Sequence, residues 1–144
     1  MPTLAPLFGR PPYEYRDSWI MAVMFKTNPE VLETLIPRPL VPNPNHVMFV
    51  LIERLFATGV GHYNEFILGA PAMFRNEPVN YCVFLVVDTD VSMTVGREIW
   101  GFPKILGRPQ LEEKNGIVNG TVERNGVTLV KMPAARRAIR VIVI

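Results

Sequence analysis

Cysteine, histidine and charge are all scarce in this chain. A single cysteine, Cys82, among 144 residues excludes an internal disulfide framework. It sits in the apolar stretch NYCVFLVVD, where a thiol reads as a small buried hydrophobe. Two histidines, His46 and His62, leave little for a metal ion. His62 and Glu65 are three residues apart in a segment that reads as a strand, so they fall on opposite faces and no metal site is expected. Charged residues make up 19% of the chain and the net charge is +2, which does not point to nucleic acid. The one basic cluster, Arg136, Arg137 and Arg140, lacks the interleaved aromatics such binding needs. No apolar run reaches bilayer-spanning length, and MPTLAPLFGRPPYEY has neither the basic start nor the apolar centre of a signal peptide. A soluble, cytoplasmic chain without membrane or nucleic-acid partners is the expectation. Also missing are a GxSxG elbow, a P-loop and a GxGxxG fingerprint. The sequon Asn119-Gly120-Thr121 reads as chance without a secretory context.

What is present is a proline-punctuated, strand-rich pattern. Hydrophobic residues make up 49% of the chain, enough for one globular domain. SWIMAVMF (18–25) predicts a buried strand. TNPEVLETLI predicts a short helix, with Thr27 or Asn28 as cap, Pro29 in its first turn and Glu30 at its positive end. PRPLVPNPN stops it, since proline cannot continue a helix. Strands follow at 46–57, 62–68 and 81–87, the first two parted by Gly59 and Gly61, and the last ends at the acidic corner DTD. A second short helix is expected around 94–100. The final third predicts a meander of ILGRPQLEE, IVNGTVE and VTLVK, turning at Asn115-Gly116 and Asn125-Gly126, with Asn119-Gly120 as a rival turn. The fold class is therefore α+β, β-rich, a barrel or sandwich with one or two short helices. The tail KMPAARRAIRVIVI changes character abruptly, which divides the chain into a domain at 1–131 and an atypical segment at 132–144.

One residue stands out chemically. Lys104 follows a proline inside GREIWGFPKILG, flanked by Ile99, Trp100, Phe102, Ile105 and Leu106. The commonplace reading is a lysine that lays its stem on apolar surface and its charge in water. The chemical reading is an imine-forming lysine. Such an amine must be neutral to attack a carbonyl, and at an ordinary lysine pKa of about 10.4 only one in roughly 2,500 is neutral at pH 7. Dry apolar walls favour the neutral form, and Trp100, Phe102, Ile105 and Leu106 are candidate walls.

VGREIWGFPKILGRP resembles the active-site segment of the acetoacetate decarboxylase family, in which G-R-E is followed by an aromatic residue, proline and the nucleophilic lysine. PYEYRDSWIMAVMFKTNPEVLETLIPRPL resembles that family's N-terminal strand, helix and Pro-x-Pro-Leu corner, and GVGHYNE resembles its Gly-x-Gly-x-Tyr-x-Glu segment. The blocks align without gaps from Pro12 to about Gly107. The resemblance implies that Lys104 is the nucleophile, that Glu65 moves protons, and that Arg97 and Glu98 give structural support. Acetoacetate decarboxylase is itself the standard illustration of a lysine activated by burial or a cationic neighbour, so that activation comes with the resemblance. Three positions depart from the family. Its second lysine is Ile105 here, its carboxylate-binding arginine aligns with Ser18, and an upstream acid of its pocket aligns with Val50. Arg16, two residues from Ser18 on the same strand face, is the candidate replacement for the arginine.

The resemblance further implies a longer domain. This chain is expected to carry the N-terminal portion of a cone-like, closed antiparallel β-barrel, its tail arising from truncation or a shifted reading frame. The implied activity is decarboxylation of a small β-keto acid through an imine on Lys104, with no cofactor and with homo-oligomerisation. Imine-based aldol or dehydration chemistry on a pyruvate-like substrate is the alternative that the Ser18 and Ile105 departures raise. A catalytically inactive remnant is the other.

Overall fold

The computed structural model describes residue 4, residues 6–135 and residues 140–143. Arg136 and Arg137 of the basic cluster, and the rest of 136–139 and 144, lie outside the described residues. Among the described residues, ten strands and two helices run in the order β1 (Tyr15–Lys26), α1 (Pro29–Leu35), β2 (Val41–Pro42), β3 (Val47–Ala57), β4 (Gly61–Phe74), β5 (Glu77–Val87), α2 (Asp90–Glu98), β6 (Lys104–Leu106), β7 (Arg108–Lys114), β8 (Ile117–Arg124), β9 (Val127–Ala135) and β10 (Arg140–Val143). No helix among the described residues is long and apolar enough to cross a membrane.

The strands form two sheets. The larger has seven strands in the order β10-β1-β3-β4-β5-β6, with β2 paired to β4, and the smaller is the meander β7-β8-β9. All pairings are antiparallel except that of β5 with β6. Only a portion of a closed barrel was expected of this chain, and the described sheets are indeed open: β10 and β6 are the two edges of the large sheet and no described strand joins them. β6 ends after three residues and the chain passes into the second sheet through Gly107, which packs so closely on Val86 that a side chain there would collide.

Local chemistry accounts for the elements. Asn28 caps α1, its side-chain oxygen accepting from the Glu30 amide at 2.9 Å, with Pro29 in the first turn. The second helix starts earlier than expected, at Asp90, since Thr89 of the acidic corner is its cap and accepts from the Ser92 amide at 3.2 Å. The two-residue turns at Asn115-Gly116 and Asn125-Gly126 form with positive φ at both residues, as hairpin turns require. Asn119-Gly120 is no turn: it lies inside β8, where Ile52 from the large sheet fills the space that a Gly120 side chain would take.

Alternation along each strand sorts side chains onto two faces. Met21, Val50, Ile52, Phe66 and Val86 of the large sheet pack against Leu111, Val118 and Val122 of the small one. Leu32 of α1 and Ile36, just past its end, cover the same sheet face further along, on Met48, Ala70 and Ala72. The opposite face carries Glu53, Leu55, Tyr63, Glu65 and Ile67 and is roofed by α2.

Candidate active site

The roofed face encloses a cavity of about 400 Å³, within the range usual for small-molecule sites. Its floor comes from β1, β3 and β4, its roof from Ser92, Val95 and Gly96 of α2, and its rim from Trp100 and Phe102. Those two rings stack 6.4 Å apart at 14° and are partly exposed, as a mouth would be. Lys104 enters at the first residue of β6, with 6% of its surface exposed. Its Nζ donates to Glu65 Oε2 at 2.8 Å and lies 5.5 Å from the centre of the Tyr63 ring. Arg97 Nη1 donates to the Lys104 carbonyl at 3.0 Å, which ties the end of α2 to the lysine's backbone. Gly96 faces the lysine stem, and a methyl group there would run into Lys104 Cδ and Cε.

A second carboxyl group shares the cavity. The β3–β4 hairpin turns at Ala57–Gly61, where Gly59 and Gly61 adopt positive φ, and that register sets Glu53 directly opposite Glu65. Burial, and next the charge of Glu65, push Glu53 up to about 7, against the pull of Lys104. Glu65 is also raised by burial, while Lys104 opposes the rise by its charge and its hydrogen bond. Burial and Glu65 raise Tyr63, which stays a neutral phenol 3.5 Å from the Tyr15 hydroxyl. The half-buried Cys82 thiol is raised by desolvation as well, so it is not a ready nucleophile. Ser18 is buried at 1% exposure and lines the cavity, and its Oγ has no hydrogen-bond partner. Two acids, one amine and unspent hydroxyl chemistry in an apolar enclosure suit proton transfer at a carbonyl compound.

The residues singled out from sequence are divided by this geometry. Lys104 and Glu65 meet inside, and Trp100 and Phe102 stand at the mouth. Ile105 lies elsewhere: the residue after Lys104 on a strand faces the other way, and Ile105 packs against the core between the sheets. Arg16 is outside too. A β-bulge sets Asp17 and Ser18 opposite one residue of β3, with Asp17 at φ 50°, so alternation slips and Tyr15 and Ser18 line the cavity. Arg16 is exposed and paired with Glu14. Val50 is buried in the inter-sheet core, on the sheet face away from the cavity. Sequence reasoning missed Glu53, which was hidden in a long apolar stretch. A lone acid alternating with Leu51, Leu55 and Ala57 was the available signal.

The family described as "Acetoacetate decarboxylase (ADC)" matches residues 1–138. Among curated relatives, acetoacetate decarboxylase 1 of Bradyrhizobium diazoefficiens is 32% identical over 127 residues, which cover 88% of this chain and 51% of that protein. Acetoacetate decarboxylase of Chromobacterium violaceum is 32% identical over 123 residues, 85% of this chain and 50% of that protein. The chain spans about half the length of the curated relatives it matches. Among solved structures, acetoacetate decarboxylase from Legionella pneumophila superposes with a TM-score of 0.85 at 22% identity, over 92% of this chain and 53% of that one. The enduracididine biosynthesis enzyme MppR, complexed with the condensation product of pyruvate and imidazole 4-carboxaldehyde, gives 0.78 at 18% identity, over 90% and 57%.

Proposed function

As the chain belongs to the acetoacetate decarboxylase family, we propose that it works as an imine-forming lyase on a small keto acid, with Lys104 as nucleophile and Glu65 as its proton partner. The observation that carries this is the Lys104–Glu65 contact at 2.8 Å inside an apolar cavity. A buried ion pair is costly to hold in low dielectric, so burial favours proton transfer from the amine to the carboxylate, which neutralises both and yields the free amine that addition needs. The ammonium passes one proton to Glu65, and the neutral amine adds to the ketone carbonyl. Glu65 returns that proton to the departing hydroxyl, so water leaves and an iminium remains. The bond to the carboxylate breaks, its electron pair moves toward nitrogen, and carbon dioxide departs. The enamine carbon takes up one proton from water, and hydrolysis then frees the ketone and Lys104.

Borohydride with acetoacetate should leave a reduced mass adduct on Lys104. An adduct on another lysine, or none, overturns the proposal and favours an inactive remnant. Lys104→Ala should lower turnover at least about 10³-fold. A second reading, aldol or dehydration chemistry on a pyruvate-like donor, is favoured by one observation: no arginine lines the cavity among the described residues. MppR, which shares the fold, was solved with a condensation product of pyruvate. Carbon dioxide release from acetoacetate supports the first reading, and carbon–carbon bond formation from pyruvate and an aldehyde supports the second.

A further inference from the structure

The cavity holds more hydrogen-bonding capacity than the imine chemistry uses. Lys104 is the cation among its described lining residues, and Glu65 and the reacting carbonyl account for its nitrogen. Ser92 Oγ is occupied by Thr89, and the Tyr63 hydroxyl is occupied by Tyr15. Two buried lining groups remain unspent. Ser18 Oγ is buried without a partner. The Glu53 carboxyl, 8% exposed, makes no hydrogen bond among the described residues. They come from neighbouring strands: Ser18 sits in the bulge between the pairs Arg16↔Phe56 and Trp19↔Arg54, and Glu53 pairs with Ile20. A buried hydroxyl with no partner costs stability unless a ligand completes it.

We propose that the Ser18 hydroxyl and the protonated carboxyl group of Glu53 together hold the carboxylate of the substrate, as two neutral donors in place of a cation. Charge counting supports this. The Lys104 ammonium and Glu65 carboxylate cancel, so a keto acid brings the cavity to one net negative charge. Ionised Glu53 would make it two in an apolar enclosure, which is prohibitive. Glu53 lies near 7, so the protonated form is available at neutral pH. The titratable groups around it are Glu65 and Tyr63 from β4, Lys104 from β6, Tyr15 from β1 and, beyond Glu65, Cys82 on β5. Helix α2 contributes no charge to the lining. A bound carboxylate raises Glu53 further, so binding takes up a proton above neutrality.

The inference rests on the imine reading, and its test separates the two. Levulinate, a keto acid that does not readily lose carbon dioxide, and its uncharged methyl ester are each trapped on Lys104 with cyanoborohydride, and the ratio of their apparent affinities is followed from about pH 6 to about pH 9. Effects of pH on the amine act on both ketones and cancel in the ratio. The ratio should favour levulinate below about 7 and fall up to tenfold per pH unit above it. Glu53→Gln keeps a neutral donor at every pH, so its ratio should be flat and should stay high. Ser18→Ala should lower the ratio about tenfold, leaving the ester unaffected. A wild-type ratio independent of pH, or one unmoved by both substitutions in variants with native circular dichroism, overturns the inference while the adduct stands. Failure of both ketones to label Lys104 overturns the imine reading itself.

Discussion

On β3, Val50 and Ile52 point into the core between the sheets, while Glu53 and Leu55 point into the cavity. On β4, Phe66 takes the first side, and Tyr63 and Glu65 take the second. The same backbone hydrogen bonds serve both faces, so the difference lies in what each face packs against. The first face meets a second sheet and α1, and its apolar side chains fit without polar groups to satisfy. The second meets a short helix with a small residue, Gly96, at the point of contact, which leaves room for an amine and two acids. Stability is concentrated on one side, and reactivity, with its burial cost, on the other.

Substitutions can break this division, and the largest effect belongs to the core face. Phe66→Ala should cost about 3–5 kcal/mol by chemical denaturation, whereas the neighbouring Glu65→Gln should cost less, since Lys104 can shed its proton once its partner is neutral, and should slow trapping on Lys104. Equal losses of stability would dissolve the contrast. Next comes pH. Glu53 is raised from 4.5 to about 7 in the folded chain, so the folded state holds the proton more tightly than the unfolded one. That shift lowers stability as pH rises between the two values, and the penalty is complete above about 7, on the order of 3 kcal/mol. Glu53→Gln should remove it, which thermal melts at about pH 5 and about pH 8 would register as a gain for the variant at the higher pH only. Gly96→Ala should displace the Lys104 stem and slow imine formation roughly 100-fold with the sheets intact, read by trapping rate against circular dichroism. The smallest is Ile105→Val, expected to cost about 1 kcal/mol of stability with unchanged trapping, since Ile105 belongs to the core face.

Much of this arrangement was legible in the residues. The prolines, the Asn-Gly turns and the apolar stretches located most of the elements, because local geometry decides them: Asn28, Pro29 and the turn at Asn115-Gly116 would act the same way in many folds. Lys104 was conspicuous as a charge in an apolar setting. Glu53 was not, because a carboxylate inside an apolar run is meaningful only once the hairpin register is known, and that depends on where the turn closes at Ala57–Gly61. Ile105 was misjudged for a related reason. Proximity in sequence to Lys104 implied a shared wall, but adjacent residues of a regular strand face opposite sides. Whether the strands close was left undecided by the residues, since strand content is written locally and closure is a property of the whole set of pairings.

The extra residue in β1 reaches furthest. Had the strand kept a strict two-residue rhythm back from Ile20, position 16 would have delivered a guanidinium into the chamber. One surplus peptide unit diverts it to the outer surface, where it salt-links to Glu14. The electrical character of the chamber is thus decided by spacing of the main chain as much as by which amino acids are encoded. A related chain could hold the same inventory of side chains, lack that single irregularity, and present its substrate with a positive pole instead of a neutral cradle.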